Sequence, residues 1–85
     1  MSALDALKIV DGYFEDNRFI MRGLAGRAVF GTYTAAGLLS LANVISSRGE
    51  ALRFTIDNDK HIELTAAQSK QFRSELLAIA NELED

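Results

Sequence analysis

The sequence contains no cysteine and no proline, and His61 is its one histidine. Without cysteine the chain can form no disulfide bond, offers no thiolate nucleophile and cannot build a zinc site on sulfur ligands. The absence of proline removes one of the usual breaks between elements and fits a chain that is rich in helix. These absences exclude disulfide-stabilised scaffolds, thiol enzymes and cysteine-based zinc modules.

An excess of positive charge is also missing. The 85 residues carry nine Lys and Arg against twelve Asp and Glu, which gives a formal net charge of −3. Proteins that bind nucleic-acid phosphates normally carry a surplus of positive charge. Arg18, Arg22 and Arg27 form a local basic run, but acidic residues precede it, so no nucleic-acid partner is expected. A chain of this length makes one domain, residues 1–85, because a second core would have little left to bury.

Residues 28–47 contain no charged side chain. The stretch is long enough to span a bilayer as one helix, but its polar residues and its small apolar residues do not suit a lipid-facing surface. We expect a buried helix with a lead-in segment, and no membrane partner. The first residues lack a basic start and a continuous apolar core, so no signal peptide is expected. The predicted location is the cytoplasm, or the host cytoplasm or virion if the protein is viral.

The start of the chain has a helical pattern. Apolar residues from Leu4 to Phe14 recur at three- and four-residue steps, which predicts a first helix that reaches about Asp16. An alternative is a helix that ends near Asp11, with Gly12 as its C-terminal stop.

Residues 18–31 allow more than one interpretation. Residues 18–22 fit either a short strand or the end of a helix, and the glycines of 23–31 indicate turns or tight packing rather than a phosphate-binding loop. A second helix is predicted from a cap at Thr34 to about Ser47, with Gly49 just beyond its end.

Apolar and polar residues then alternate, which predicts a β-hairpin over about 51–64. A three-residue loop, 58–60, would pair Ile56 with Ile62 and Phe54 with Leu64, and so keep apolar side chains on one face. A two-residue loop would set Ile56 opposite His61 and mix the apolar face with the polar one.

Four ionisable residues, Asp57, Asp59, His61 and Glu63, occupy alternate positions around this turn. A calcium site needs more oxygen ligands and a glycine, and a zinc site would rest on one histidine and carboxylates of two adjacent strands. No serine here has the context of an activated nucleophile. We therefore expect no catalytic residue, no metal and no cofactor, and we place these side chains at a solvent-facing corner of the hairpin.

A capping box, Thr65 with Gln68, predicts the start of a long C-terminal helix over about 66–83. Phe72, Leu76 and Ile79 form its inner stripe and are expected to cover the apolar face of the hairpin. The predicted class is α+β, with two N-terminal helical segments, a β-hairpin and a long C-terminal helix.

The order of four signals, Phe54, Asp57–Asn58, Leu64–Thr65 and the "AAQ" of 66–68, resembles a small domain of bacteriophage and prophage tail and tail-fibre assembly proteins. The resemblance covers residues 33–83, with Phe54 where a tryptophan is expected. It implies a helix, two strands joined by a turn, and an alanine-rich helix. It also implies a non-enzymatic role in virion or tail assembly, and it brings no catalytic residues.

Two hypotheses for function follow. The first is a protein–protein interaction module in which the uncharged second helix meets a protein partner or another copy of the chain, with Leu39 and Val44 as contact residues. The second is a phage-encoded inhibitor of a host defence complex, or an immunity protein or antitoxin. It would use Asp57, Asp59 and Glu63 as an acidic binding surface.

Overall fold

The computed structural model describes residues 7–45, 48–57 and 60–83, apart from the side chains of Phe54, Ile56, Asp57 and Lys60. Its elements in chain order are β1 (Val10–Glu15), β2 (Arg18–Leu24), β3 (Arg27–Tyr33), α1 (Ala35–Asn43), β4 (Leu52–Asp57), β5 (Lys60–Leu64) and α2 (Ala66–Glu82). The first three strands form an antiparallel meander with β2 in the centre, and β4 and β5 form a separate hairpin. The structure is α+β, but the predicted pair of N-terminal helical segments is wrong, because a sheet precedes a single helix.

The predicted first helix is wrong over the residues that the structure describes, where β1 takes its place; its first residues, up to residue 6, lie outside the described part of the chain. Val10 is buried and Phe14 half-buried, whereas Tyr13 between them is exposed, which is the alternation of a strand with one wet face. The same apolar positions also fit one face of a helix, so their spacing alone does not distinguish a helix from a strand. Gly12 would cost a helix interior about 1 kcal/mol, and the backbone pairing with β2 decides in favour of the strand.

The two hairpin loops of the meander are each two residues long, and all four loop residues have positive φ. Asp16 (φ 49°) and Asn17 (φ 57°) form the first loop, and Ala25 (φ 54°) and Gly26 (φ 81°) form the second. Loops of this kind have the twist that joins antiparallel strands, and Asn, Asp and Gly tolerate the left-handed region best. The interpretation of a glycine here as a turn residue is confirmed at Gly26.

Two other glycines make room for aromatic rings of the core. Gly12 of β1 and Gly31 of β3 lie on either side of Met21 in the central strand. A Cβ atom added to Gly12 would lie 2.5 Å from Cζ of Phe19, and one added to Gly31 would lie 2.9 Å from Oη of Tyr33. The rings therefore fold over the two glycines, and the tight packing predicted for residues 23–31 is confirmed at Gly31.

Both helices begin at the predicted caps. The Oγ1 atom of Thr34 accepts a hydrogen bond from the backbone N–H of Gly37 at 3.2 Å. The capping box of α2 is complete: Oγ1 of Thr65 accepts from the Gln68 N–H at 3.1 Å, and Oε1 of Gln68 accepts from the Thr65 N–H at 2.9 Å. Each cap satisfies amides that have no partner inside the helix.

Helix α1 is shorter than predicted. It ends at Asn43, before the expected Ser47, and the N–H of Val44 donates to the carbonyl of Leu41 at 3.2 Å in a tightened last turn. Gly49 has φ +79° but does not end this helix; it lies close to the first residues of α2 instead. Gly49 therefore belongs to the link between α1 and β4 and is not the C-terminal glycine of the helix.

The hairpin has a different register from the predicted one. Phe54 pairs with Ile62, and Asp57 pairs with Lys60, so the loop is 58–59 instead of 58–60. An irregularity between Thr55 and Asp57 accommodates one extra residue in β4. It restores the pairing of apolar positions that a regular hairpin with a two-residue loop would have broken. The shift from the predicted register is two residues, so apolar residues still face apolar ones.

The inner stripe of α2 covers the hairpin as predicted, because one buried cluster contains Phe72, Leu76, Ile79, Ile62 and Leu64. The side chains of the other two expected hairpin partners lie outside the described residues. The cluster also includes buried residues of the meander and of α1, so the two sheets and the two helices share one core.

The glycines allow a paired stability test. Gly12→Ala should lower the free energy of unfolding by about 2–3 kcal/mol, because the new Cβ would lie 2.3 Å from the backbone oxygen of Ile20. Gly37→Ala should raise it by about 0.5–1 kcal/mol, because Gly37 lies in α1 with only ordinary contacts around it. Urea unfolding followed by circular dichroism measures both. Equal free energies for the two variants would contradict the packing described for Gly12.

Candidate interaction surfaces

Among the described residues, Glu75 is the one charged residue that is fully buried, and a buried acid is a candidate for a catalytic or binding group. Both of its oxygens are occupied. Oε1 accepts hydrogen bonds from the backbone N–H groups of Lys8 (3.1 Å), Ile9 (3.2 Å) and Val10 (2.9 Å). Oε2 accepts from Nε2 of Gln71 at 2.7 Å and from the Ile9 N–H at 3.3 Å. The carboxylate thus joins α2 to the segment before β1, which is a structural role.

Leu39 and Val44, the predicted contact residues of the second helix, are both exposed, at 44% and 75%. They are five positions apart, which is about 140° around a helix. Leu39 borders a groove against α2, together with Leu77 and Leu83. Val44 borders a different cleft, of about 230 Å³, whose lining includes Tyr33 of β3. The structure therefore places Leu39 on the side of α1 that faces α2 and Val44 at the C-cap of α1 beside a different cleft, and they do not form one patch.

The outer face of the hairpin carries charges of both signs. Glu63 is exposed, and its Oε1 lies 3.4 Å from Nε of Arg53 on the neighbouring strand. His61 lies opposite Thr55, with Nδ1 3.2 Å from the hydroxyl, whereas the predicted three-residue loop would have set His61 opposite Asp57. Asp59 and the side chain of Asp57 lie outside the described residues. Of the three predicted acidic residues, Glu63 alone has a described side chain, and Arg53 compensates its charge.

A surface that sequence reasoning missed lies on the meander. Tyr13, Ile20 and Thr32 are direct cross-strand neighbours in β1, β2 and β3. Tyr13 is 39% exposed, and the guanidinium of Arg22 lies 5.1 Å from the centre of its ring. Phe30 of β3 is 76% exposed. We call Tyr13, Ile20, Arg22, Phe30 and Thr32 the open sheet face. Alternation in residues 10–15 and 18–24 was the signal that could have revealed it.

The basic run lies on strands rather than on one helix. Arg22 forms an ion pair with Asp11, with Nη2 and Oδ1 3.6 Å apart. Arg18 is the cross-strand neighbour of Glu15, and Arg27 begins β3. Acidic groups therefore accompany two of the three arginines, and the surface has no strong positive charge.

The described part of the chain contains neither a cluster of metal ligands nor a membrane-spanning helix. In residues 7–45, 48–57 and 60–83, no three His, Asp or Glu side chains lie close enough together to hold a metal ion. No helix in the same part of the chain is long and apolar enough to cross a bilayer. The described part of the uncharged stretch, residues 28–45, is divided mainly between β3 and α1, so the lead-in to the helix is a strand.

Comparison with protein-family models, with curated proteins and with solved structures gives no match to this chain. The element order over residues 33–83 is α1, β4, β5 and α2, the order that the resemblance to phage tail domains implied. An element order by itself shows no family, so that resemblance stays a prediction.

Removing Glu75 tests its structural role. Glu75→Ala should lower the free energy of unfolding by about 3 kcal/mol or more, because three buried or half-buried backbone N–H groups would lose their acceptor. Gln71→Ala removes a single hydrogen bond to the same carboxylate and should cost only about 1 kcal/mol. Chemical denaturation measures both. If the two variants lost the same stability, the backbone contacts would not be the main contribution of Glu75.

Proposed function

We propose that this protein is a small, non-enzymatic protein–protein interaction module. The observation that carries the proposal is the exposure of Phe30 and Val44, whose side chains are 76% and 75% accessible to solvent. Contiguous exposed apolar patches commonly mark binding surfaces, and Phe30 adds to the one that Tyr13 and Ile20 form on the open sheet face. Phe30 belongs to β3, and Val44 is the C-cap of α1.

The composition of the open sheet face supports the same conclusion. Tyrosine, phenylalanine and arginine are the residue types most enriched where proteins bind one another, and here they surround Ile20. The stacking of Arg22 on Tyr13 and its ion pair with Asp11 hold two of these side chains in place before any partner arrives. A surface that is ordered in advance loses less entropy on binding.

The type of assembly is proposed from the resemblance over residues 33–83, which implies a part in virion or tail assembly. In that case the protein acts in the host cytoplasm or in the virion, and its partners are structural proteins rather than a nucleic acid or a membrane.

The inhibitor hypothesis, with Asp57, Asp59 and Glu63 as an acidic surface, has less support. The Arg53–Glu63 pair reduces the negative charge that an acidic mimic would have to present. We therefore place the interaction module first.

A comparative pull-down tests the module. Tagged wild type, Phe30→Lys and Ser74→Lys are incubated with lysate of the source cells, and the retained proteins are identified by mass spectrometry. Ser74 is exposed on α2 and receives the same added charge away from the open sheet face, so it is the matched control. Virion or tail proteins retained by wild type and Ser74→Lys, and lost by Phe30→Lys, are the expected result.

Retention of the same proteins by all three forms would contradict a binding role for Phe30. A host nuclease or defence complex as the main retained protein would favour the inhibitor hypothesis. Reversing Asp57, Asp59 and Glu63 to Lys should then abolish that retention.

A further inference from the structure

The cleft beside Val44 leads from the surface into the core. Its volume is about 230 Å³, and it lies where the meander, the end of α1, β4 and α2 meet. Met21 and Phe72, which line its inner part, are buried, and Leu41 is half-buried. Val44, 75% exposed, lies at its mouth. We call this space the Val44 cleft.

One wall of the Val44 cleft depends on a glycine. Tyr33 lines the cleft, and a Cβ atom added to Gly31 would lie 2.9 Å from both Cε2 and Oη of its ring. Because Gly31 has no side chain, the ring can pack over it and along β3. Gly31 and Tyr33 thus form a flat aromatic wall beside the core.

The lining determines the chemistry of a ligand. Among the described residues, none of the side chains around the cleft is charged, and the hydroxyl of Tyr33 is the only side-chain group with nitrogen or oxygen. A charged group that entered would lose its hydration and gain no partner, so the ligand is uncharged. The rings of Phe72 and Tyr33 and the sulfur of Met21 favour an aromatic ring. The Tyr33 hydroxyl can accept one hydrogen bond from it.

The volume limits the size of that ring. An enclosed apolar cavity of about 150 Å³ binds benzene. The Val44 cleft is about half as large again and is open at its mouth. A two-ring group such as the indole of tryptophan therefore fits, and its N–H provides the donor for Tyr33.

The apolar surface does not end at the mouth. Val44 carries it outward, so an occupant that continues beyond the cleft finds apolar surface there too. An aromatic side chain attached to a protein has this shape, and such side chains seated in pockets contribute much of the binding energy of protein interfaces.

We propose that the Val44 cleft binds one tryptophan side chain of the protein partner. This inference rests on the proposed interaction function and names the chemical group that the module recognises. The site is distinct from the open sheet face, because Val29 of the cleft is buried on the inner side of β3 and Phe30 is exposed on the outer side.

Methyl NMR of the wild-type chain tests the site with N-acetyltryptophanamide, an uncharged tryptophan without a peptide chain. The methyl signals of Met21 and Val29 should shift and reach saturation, because the indole ring lies against them. The methyl signals of Ile20, on the open sheet face, should stay in place. N-acetylalaninamide has the same backbone without the ring and should shift none of them.

A pair of variants locates the site. Leu41→Trp places an indole inside the cleft and should weaken binding of N-acetyltryptophanamide by at least about tenfold, because the two rings compete for one space. Leu39→Trp adds the same side chain beside the groove against α2 and should bind as wild type does. The methyl spectrum of each variant shows whether it is folded, and the wild-type titration does not depend on either.

Three results would overturn the proposal. The first is a wild-type titration in which Met21 and Val29 show no saturable shift. The second is a saturable shift of Ile20 in their place, which would put the aromatic site on the open sheet face. The third is equal weakening of binding by Leu39→Trp and Leu41→Trp.

The cleft and the interaction module can fail separately when Leu41→Trp joins the pull-down. Proteins lost by Phe30→Lys but retained by Leu41→Trp would support the module and refute the cleft as its anchor. If N-acetyltryptophanamide bound the cleft but no form of the chain retained a protein, the partner's side chain would be refuted as the occupant. The cleft would then be a site for a free aromatic molecule.

Discussion

The buried carboxylate of Glu75 is the interaction on which the rest of the architecture depends. A charge that leaves water needs hydrogen bonds to replace its hydration, and here three successive backbone N–H groups supply them, two just before β1 and one at its first residue. The bond between Glu75 and Val10 joins residues 65 positions apart, so it ties the C-terminal helix to the first strand. Because β1 is held in this way, β2 can pair with β1 and β3 with β2. The resulting sheet packs one of its faces against the helices.

The two edges of that sheet differ in character. β1 carries Asp11 and Glu15, and the segment before it is engaged by Glu75. β3 carries a single charge and lies next to an uncharged helix. In a chain of 85 residues, which buries only about 60–65% of its unfolded surface, leaving Phe30 and Val44 in water gives up stabilisation that the core could use. This asymmetry is the physical basis for placing binding at the β3 side of the molecule.

Some properties of the candidate surfaces can be predicted from the sequence, and others cannot. The absence of charge in α1 and the exposure of Leu39 and Val44 were accessible from the sequence, but their separation beside two different clefts was not. Along the chain, Asp57, Asp59 and Glu63 form a group of one sign. Pairing across the strands brings Arg53 beside Glu63, whereas the predicted register set Glu63 opposite Thr55.

The sequence by itself determined the features that depend on residues within about four positions of each other: the caps at Thr34 and Thr65, the amphipathic stripe of α2 and the alternation of the hairpin. Tertiary structure decided whether residues 10–15 became helix or strand, which register the hairpin took, and where Glu75 found its partners. In the first two cases, two local solutions satisfied the same apolar spacing. Only hydrogen bonds and packing between residues far apart in the chain separated them, because those contacts exist in one of the two solutions alone.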